Sequence, residues 1–132
     1  MKHLLFAALP GLLLLACNKD AGEGGKAQIT GRLLEQRVSA SGNPIGDPYP
    51  ALGENVYIIY GGIEGGAYPD DNVDSGPNGE FRFSWLRKGT YTVYAVSDCN
   101  DCDGGKKSVA VTVEVDDRKG SVSTGDILIE RN

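Results

Sequence analysis

The densest chemistry in this sequence lies in eight consecutive residues, Asp98-Cys99-Asn100-Asp101-Cys102-Asp103-Gly104-Gly105. Two thiols stand among three carboxylates and an amide, and three chemistries suit that spacing. A Cys99–Cys102 disulfide closes a short ring and leaves the acids facing water. So short a ring adds little through chain entropy. A cation would instead take hard oxygens from Asp98, Asn100, Asp101 and Asp103, the donors that calcium prefers. An EF-hand register wants an acid or amide at position 102, where a cysteine stands, and it finds no glutamate downstream. Zinc is served worse, with one cysteine pair and no histidine nearby. A Cys-x-x-Cys thiol becomes reactive at a helix N-terminus. Asp103-Gly104-Gly105 does not start a helix, and the acids around it disfavour a thiolate. The stapled loop is therefore the expectation; the cation site and the redox centre are the alternatives.

Other candidates are sparser. Asp70-Asp71-x-x-Asp74 reads as a solvated loop. Trp85, Tyr57, Tyr68 and Tyr94 offer an aromatic surface for a protein or glycan partner. Tyr57 and Tyr94 fall on strand faces opposite Ile58 and Val93, which points their rings outward.

The third cysteine has a different setting. Met1-Lys2-His3 precedes an apolar stretch, Leu4 to Leu15, and then Ala16-Cys17. A basic start, an apolar run and a small residue before a cut are the parts of a secretory signal. Twelve residues, Pro10 and Gly11 among them, fall short of the roughly 20 that span a bilayer. Leu14-Leu15-Ala16-Cys17 resembles the lipobox of bacterial lipoproteins. That resemblance implies a diacylglyceryl group on the Cys17 sulfur, cleavage after Ala16 and acylation of the new amino terminus. Two or more chains make such anchoring stable. Asn18 stands where an aspartate would retain an enteric lipoprotein at the inner membrane, so the resemblance favours the outer membrane of a Gram-negative envelope.

Cleavage there leaves 116 of 132 residues and moves the formal charge from −5 to −6. It removes His3, the sole histidine, and with it the usual general base at neutral pH. No catalytic residue is expected. The acidic balance disfavours nucleic acid and anionic surfaces; Arg87-Lys88 and Lys106-Lys107 read as isolated basic pairs. An even remainder of two cysteines in an exported chain favours the disulfide.

The elements that must position these residues are strands. Residues 18–26 hold three glycines and no large apolar side chain, which predicts a flexible tether. From residue 27 apolar positions alternate: Ile29 and Leu33, Val56 and Ile58, Phe81 and Phe83, Tyr91 and Val93, Val109 to Val115, Ile127 and Ile129. Ser39 to Pro50 holds three prolines and two glycines and reads as irregular. Asp70 to Gly79 reads as a polar loop with one short strand over 72–75. Asn78-Gly79 marks a tight turn. No helical period runs for ten residues. Six to eight short strands, most simply seven, predict an all-β antiparallel Greek-key sandwich over 27–132.

Asp74-Ser75-Gly76-Pro77-Asn78-Gly79-Glu80-Phe81-Arg82-Phe83, followed by Leu86-Arg87-Lys88-Gly89-Thr90-Tyr91-Thr92-Val93-Tyr94-Ala95, resembles the carboxypeptidase regulatory-like domain. That is a prealbumin-like sandwich related to transthyretin and to the collagen-adhesin B-type repeat. Ile29-Thr30-Gly31-Arg32 and Glu54-Asn55-Val56-Tyr57-Ile58 are similar to its first two strands. Phe81, Phe83, Leu86, Tyr91 and Val93 read most simply as core, and the resemblance implies a non-catalytic module of the kind found beside an enzyme, receptor or adhesin; an envelope protein or glycan is the partner expected here.

Overall fold

The structure, a computed structural model, describes residues 21–62 and 68–132. Cys17 and the export segment lie outside the described residues. Eight strands follow: β1 (Glu23–Val38), β2 (Pro44–Pro50), β3 (Asn55–Tyr60), β4 (Asp71–Asp74), β5 (Glu80–Leu86), β6 (Gly89–Asp98), β7 (Lys106–Val115) and β8 (Lys119–Arg131). A 3-10 turn at Asp103–Gly105 is the only helical piece among the described residues. The strands form two packed sheets, an all-β sandwich as expected. One sheet holds β1, β2, β5 and β8; the other runs β4-β3-β6-β7.

β1 organises the first sheet. One edge pairs with β8 from Lys26↔Lys119 to Arg37↔Arg131. The other edge is shared, with β5 along Glu23 to Arg32 and β2 along Leu34 to Val38. Two expectations are corrected here. The sheet is not wholly antiparallel, because β1 and β8 pair in parallel. The stretch Ser39 to Pro50 is not wholly irregular, because Pro44 to Pro50 pairs with β1. Proline lacks a donor but is tolerated on an edge strand. Where the β1–β2 register shifts, the buried Gln36 side chain fills the gap: its Nε2 donates to the carbonyls of Arg37 and Gly46, both at 3.0 Å.

The core lies between the sheets. Ile29, Leu33, Phe81, Phe83, Leu86, Ile127 and Ile129 meet Val56, Ile58, Tyr91, Val93, Ala95, Val113 and Val115. Burial of each large side chain contributes about 1.5–3 kcal/mol, against about 1 kcal/mol for a hydrogen bond, so the alternating apolar faces decide the register. Gly79 sits at φ 77° in the turn before β5, and its N–H donates to the Gly76 carbonyl at 2.9 Å. A Cβ there would come within 2.2 Å of the Leu33 carbonyl oxygen.

The sandwich also takes in residues ahead of position 27. Tyr91 is fully buried, and its hydroxyl must find partners. It accepts from Gly22 N at 2.9 Å and donates to the Arg87 carbonyl at 2.6 Å. Arg87 N donates to the Gly22 carbonyl at 2.8 Å. Ala21 packs on Gly89, where a Cβ would come within 2.7 Å of it. Residues 22–26, expected in the tether, therefore belong to the domain. Tyr91→Phe should cost about 1–3 kcal/mol by orphaning these groups. A lowered urea midpoint, with faster amide exchange at Gly22 than at Val93, is the expected result.

Candidate functional site

The predicted chemistry of residues 98–105 resolves into a clasp. Cys99 and Cys102 form a disulfide with Cα atoms 5.4 Å apart. Cys99 N donates to the Gly105 carbonyl at 2.9 Å and Gly105 N to the Cys102 carbonyl at 3.0 Å. Asp98 accepts from Lys106 Nζ through one oxygen and from Asn132 N at 3.0 Å through the other. Asn100 accepts from Asn132 Nδ2 at 2.8 Å and donates to the Ala40 carbonyl at 3.2 Å. The loop thus ties the C-terminus and the β1–β2 turn to the end of β6. Asp101 and Asp103 face solvent. Both Asp98 oxygens and the Asn100 carbonyl oxygen already accept protein donors, so these candidates are drawn into the clasp rather than into one ligand set. Among the described residues no three His, Cys, Asp or Glu side chains are grouped to hold a metal ion.

The other sequence candidates separate. Asp70 accepts from Tyr60 N at 2.7 Å and Asp71 from Asn72 N at 2.8 Å, so both acids brace the backbone around β4. Tyr57 and Tyr94 stack at 5.0 Å across β3 and β6. Trp85 belongs to β5 in the other sheet, so the expected aromatic residues do not form one platform. Phe81, Phe83, Leu86, Tyr91 and Val93 are all core, as expected.

A different region gathers polar groups that, Asp74 apart, the sequence did not single out. A groove of about 740 Å³ runs over β1, β5 and β8 against β4. Thr30, Arg32, Asp74, Glu80, Arg82, Ser123 and Asp126 supply its polar lining. Its geometry comes from an irregularity in β8. The β1–β8 register shifts between Thr30↔Ser123 and Arg32↔Asp126, which gives β8 one extra residue. Gly125 sits there at φ 74°, and its N–H donates to Ser123 Oγ at 3.0 Å. Such a bulge re-aims the side chains that follow it. Here it sets Asp126 opposite Arg32, whose Nε and Nη2 donate to the two carboxylate oxygens at 3.2 and 2.9 Å. That two-pronged bond holds the Asp126 carboxyl below the ordinary carboxylate value, and Arg32 is reciprocally strengthened as a cation. Gly31 floors the groove, since a Cβ would come within 2.1 Å of Thr124 Oγ1 and 2.4 Å of the Phe81 ring. Arg32 and Asp126 are far apart in sequence, and only the parallel β1–β8 pairing brings them together.

No family model matches the chain, and no curated protein matches it. Among solved structures it is similar to a Pseudomonas aeruginosa protein described as a "putative carbohydrate binding protein". The two are 17% identical with a TM-score of 0.47, over 84% of this chain and 92% of that one.

Asp98 gives the clasp a pH signature. Its hydrogen bond from Lys106, then that from Asn132 N, hold its carboxyl below the ordinary value of 3.8. A depressed folded value stabilises the protein above the unfolded value and stops doing so as pH falls through the folded one. Lys106→Ala should therefore be less stable than wild type at neutral pH. The gap in urea midpoint should be constant above about pH 5 and shrink below about pH 3.8.

Proposed function

We propose that this chain is a lipid-anchored, non-enzymatic envelope module that binds a hydroxyl-rich partner, a glycan, along the β1–β5–β8 groove. The observation that carries the binding reading is the Arg32–Asp126 pair within that groove. A guanidinium and a carboxylate locked in one plane present a donor and an acceptor at fixed spacing. Thr30 and Ser123 hydroxyls, Arg82, Glu80 and Asp74 line the same groove. Sugars offer paired hydroxyls that both donate and accept, and groups held on strands meet them without paying to become ordered. The lipobox-like Leu14-Leu15-Ala16-Cys17 supports the anchor. The absence of histidine from the chain after Cys17 supports a binding role over acid–base catalysis.

Two experiments test this. Cys17→Ser in the full chain should move the protein from the membrane to the soluble envelope fraction and abolish the mass increment of the lipid. Unchanged fractionation and mass would refute the anchor. For the groove, a soluble chain starting at residue 17 with Cys17→Ser would be screened on an array of envelope glycans. Arg32→Ala should weaken any bound glycan about tenfold or more, on the scale of one charge-assisted hydrogen bond. Equal binding by wild type and Arg32→Ala would refute the groove.

A further inference from the structure

Five cations that the sequence scatters over three segments converge at one end of the sandwich. A second groove, of about 640 Å³, is lined by Gly24, Gly25, Lys26, Arg87, Lys88, Arg118 and Lys119. The topology makes it. β1 and β8 start at this end, so Lys26 and Lys119 are partners in the ladder. β5 ends and β6 starts here, which places the Arg87-Lys88 turn beside them. Both Glu23 and Ala27 oppose Leu86, so residues 24–26 of β1 bulge out of the β1–β5 ladder and form one wall. Among the described residues no acidic side chain lines the groove. The nearest acids in sequence are Asp116 and Asp117, in the turn before Arg118, and Glu23, which accepts from the Tyr60 hydroxyl at 3.2 Å.

We infer that this groove docks on the phosphate-bearing headgroups of the leaflet that holds the Cys17 lipid. The placing of that leaflet rests on the anchor reading above. Four peptide links separate Cys17 from Ala21, a reach of roughly 14 Å at full extension. Ala21 and Gly22 are fixed against the β5–β6 turn, so the basic groove and the lipid leave the domain at the same end. Part of the chain's negative charge lies elsewhere. Asp98, Asp101 and Asp103 stand at the far end of the ten-residue β6, roughly 30 Å away at about 3.3 Å per residue. That is several times the screening length of about 8 Å at physiological salt, so those three acids do not bear on an anionic surface at the groove.

A second observation concerns the same end of β5. Trp85, two residues before Arg87, is 70% exposed and held at φ 60°, the only non-glycine residue with positive φ among the described residues. A bulky side chain in that backbone region is costly unless its surroundings impose it. An outward indole with a polar N–H suits the headgroup layer.

Trp85 is also the only tryptophan, which gives the test its readout. The probe is the unlipidated chain from residue 17 with Cys17→Ser, which keeps every core residue. It is mixed with phosphatidylcholine vesicles containing about 30% phosphatidylglycerol, or none. Binding only to the anionic vesicles, with a blue shift of tryptophan emission and weakening by salt, is the expected result. Each Lys or Arg near such a surface contributes roughly fivefold in affinity. The variant Lys26→Gln/Arg118→Gln/Lys119→Gln should therefore lose on the order of a hundredfold. These side chains are exposed, so its urea midpoint should be unchanged. If it is not, Lys88→Gln/Lys119→Gln serves instead, with a loss of roughly 25-fold. No binding to the anionic vesicles, or equal binding by the neutralised variant, overturns the inference. So does full competition by inorganic phosphate at matched ionic strength, which would make the groove a site for a free anion. Failure of the anchor shows separately, as a missing lipid on Cys17 in the full chain, and leaves the vesicle result to stand alone.

Discussion

The parallel ladder between β1 and β8 is the constraint on which the rest of this molecule depends. It joins the start of the described chain to its end over eleven paired positions. Everything else in that sheet hangs on β1, with β5 and β2 sharing its free edge. The ladder sets Arg32 against Asp126 and Lys26 beside Lys119, so it creates both grooves. Parallel neighbours require the chain to cross back between them, and here the last crossing, from β5 to β8, is made by β6 and β7 of the second sheet. The core closes when that sheet lays Tyr91, Val93, Val56 and Ile58 onto the apolar face of β1, β5 and β8.

Much of this was legible in the residues. Alternation from Ile29 to Ile129 announced strands because burial on one face leaves a period of two. Asn78-Gly79 announced its turn because Gly79 occupies a backbone region closed to most side chains. Pro44 to Pro50 was hidden, because a proline count argues against a strand without saying whether its N–H side would have been needed. Residues 22–26 were hidden for another reason. Their glycines look like a tether, and only the buried Tyr91 hydroxyl, sixty-nine positions away from Gly22, demands that they be ordered. The orientation of β8 is set by long-range packing and leaves no local mark.

The sites divide the same way. The disulfide could be read from the two cysteines left over once Cys17 is assigned to the expected export segment. The oxygens around it were legible as chemistry but not as geometry: Asp98 and Asn100 turn to Lys106, Asn132 and Ala40. The cationic groove illustrates the converse. Net charge and the lack of a basic run described the chain correctly, yet they average over a surface on which the fold gathers Lys26, Arg87, Lys88, Arg118 and Lys119 into one groove.

The direction of β1 and β8 also governs how this domain would carry a load. Their parallel pairing puts Ala21 and Asn132 at opposite ends of the sandwich. Tension between an anchor at the first and anything gripped at the second runs along the two strands, so the ladder is strained in shear. All of its hydrogen bonds resist together, instead of opening one after another as in a peeled hairpin. The clasp at Asp98 and Asn100, which holds Asn132, would be the first contact to feel the pull, and the ladder behind it the element that sets the breaking force.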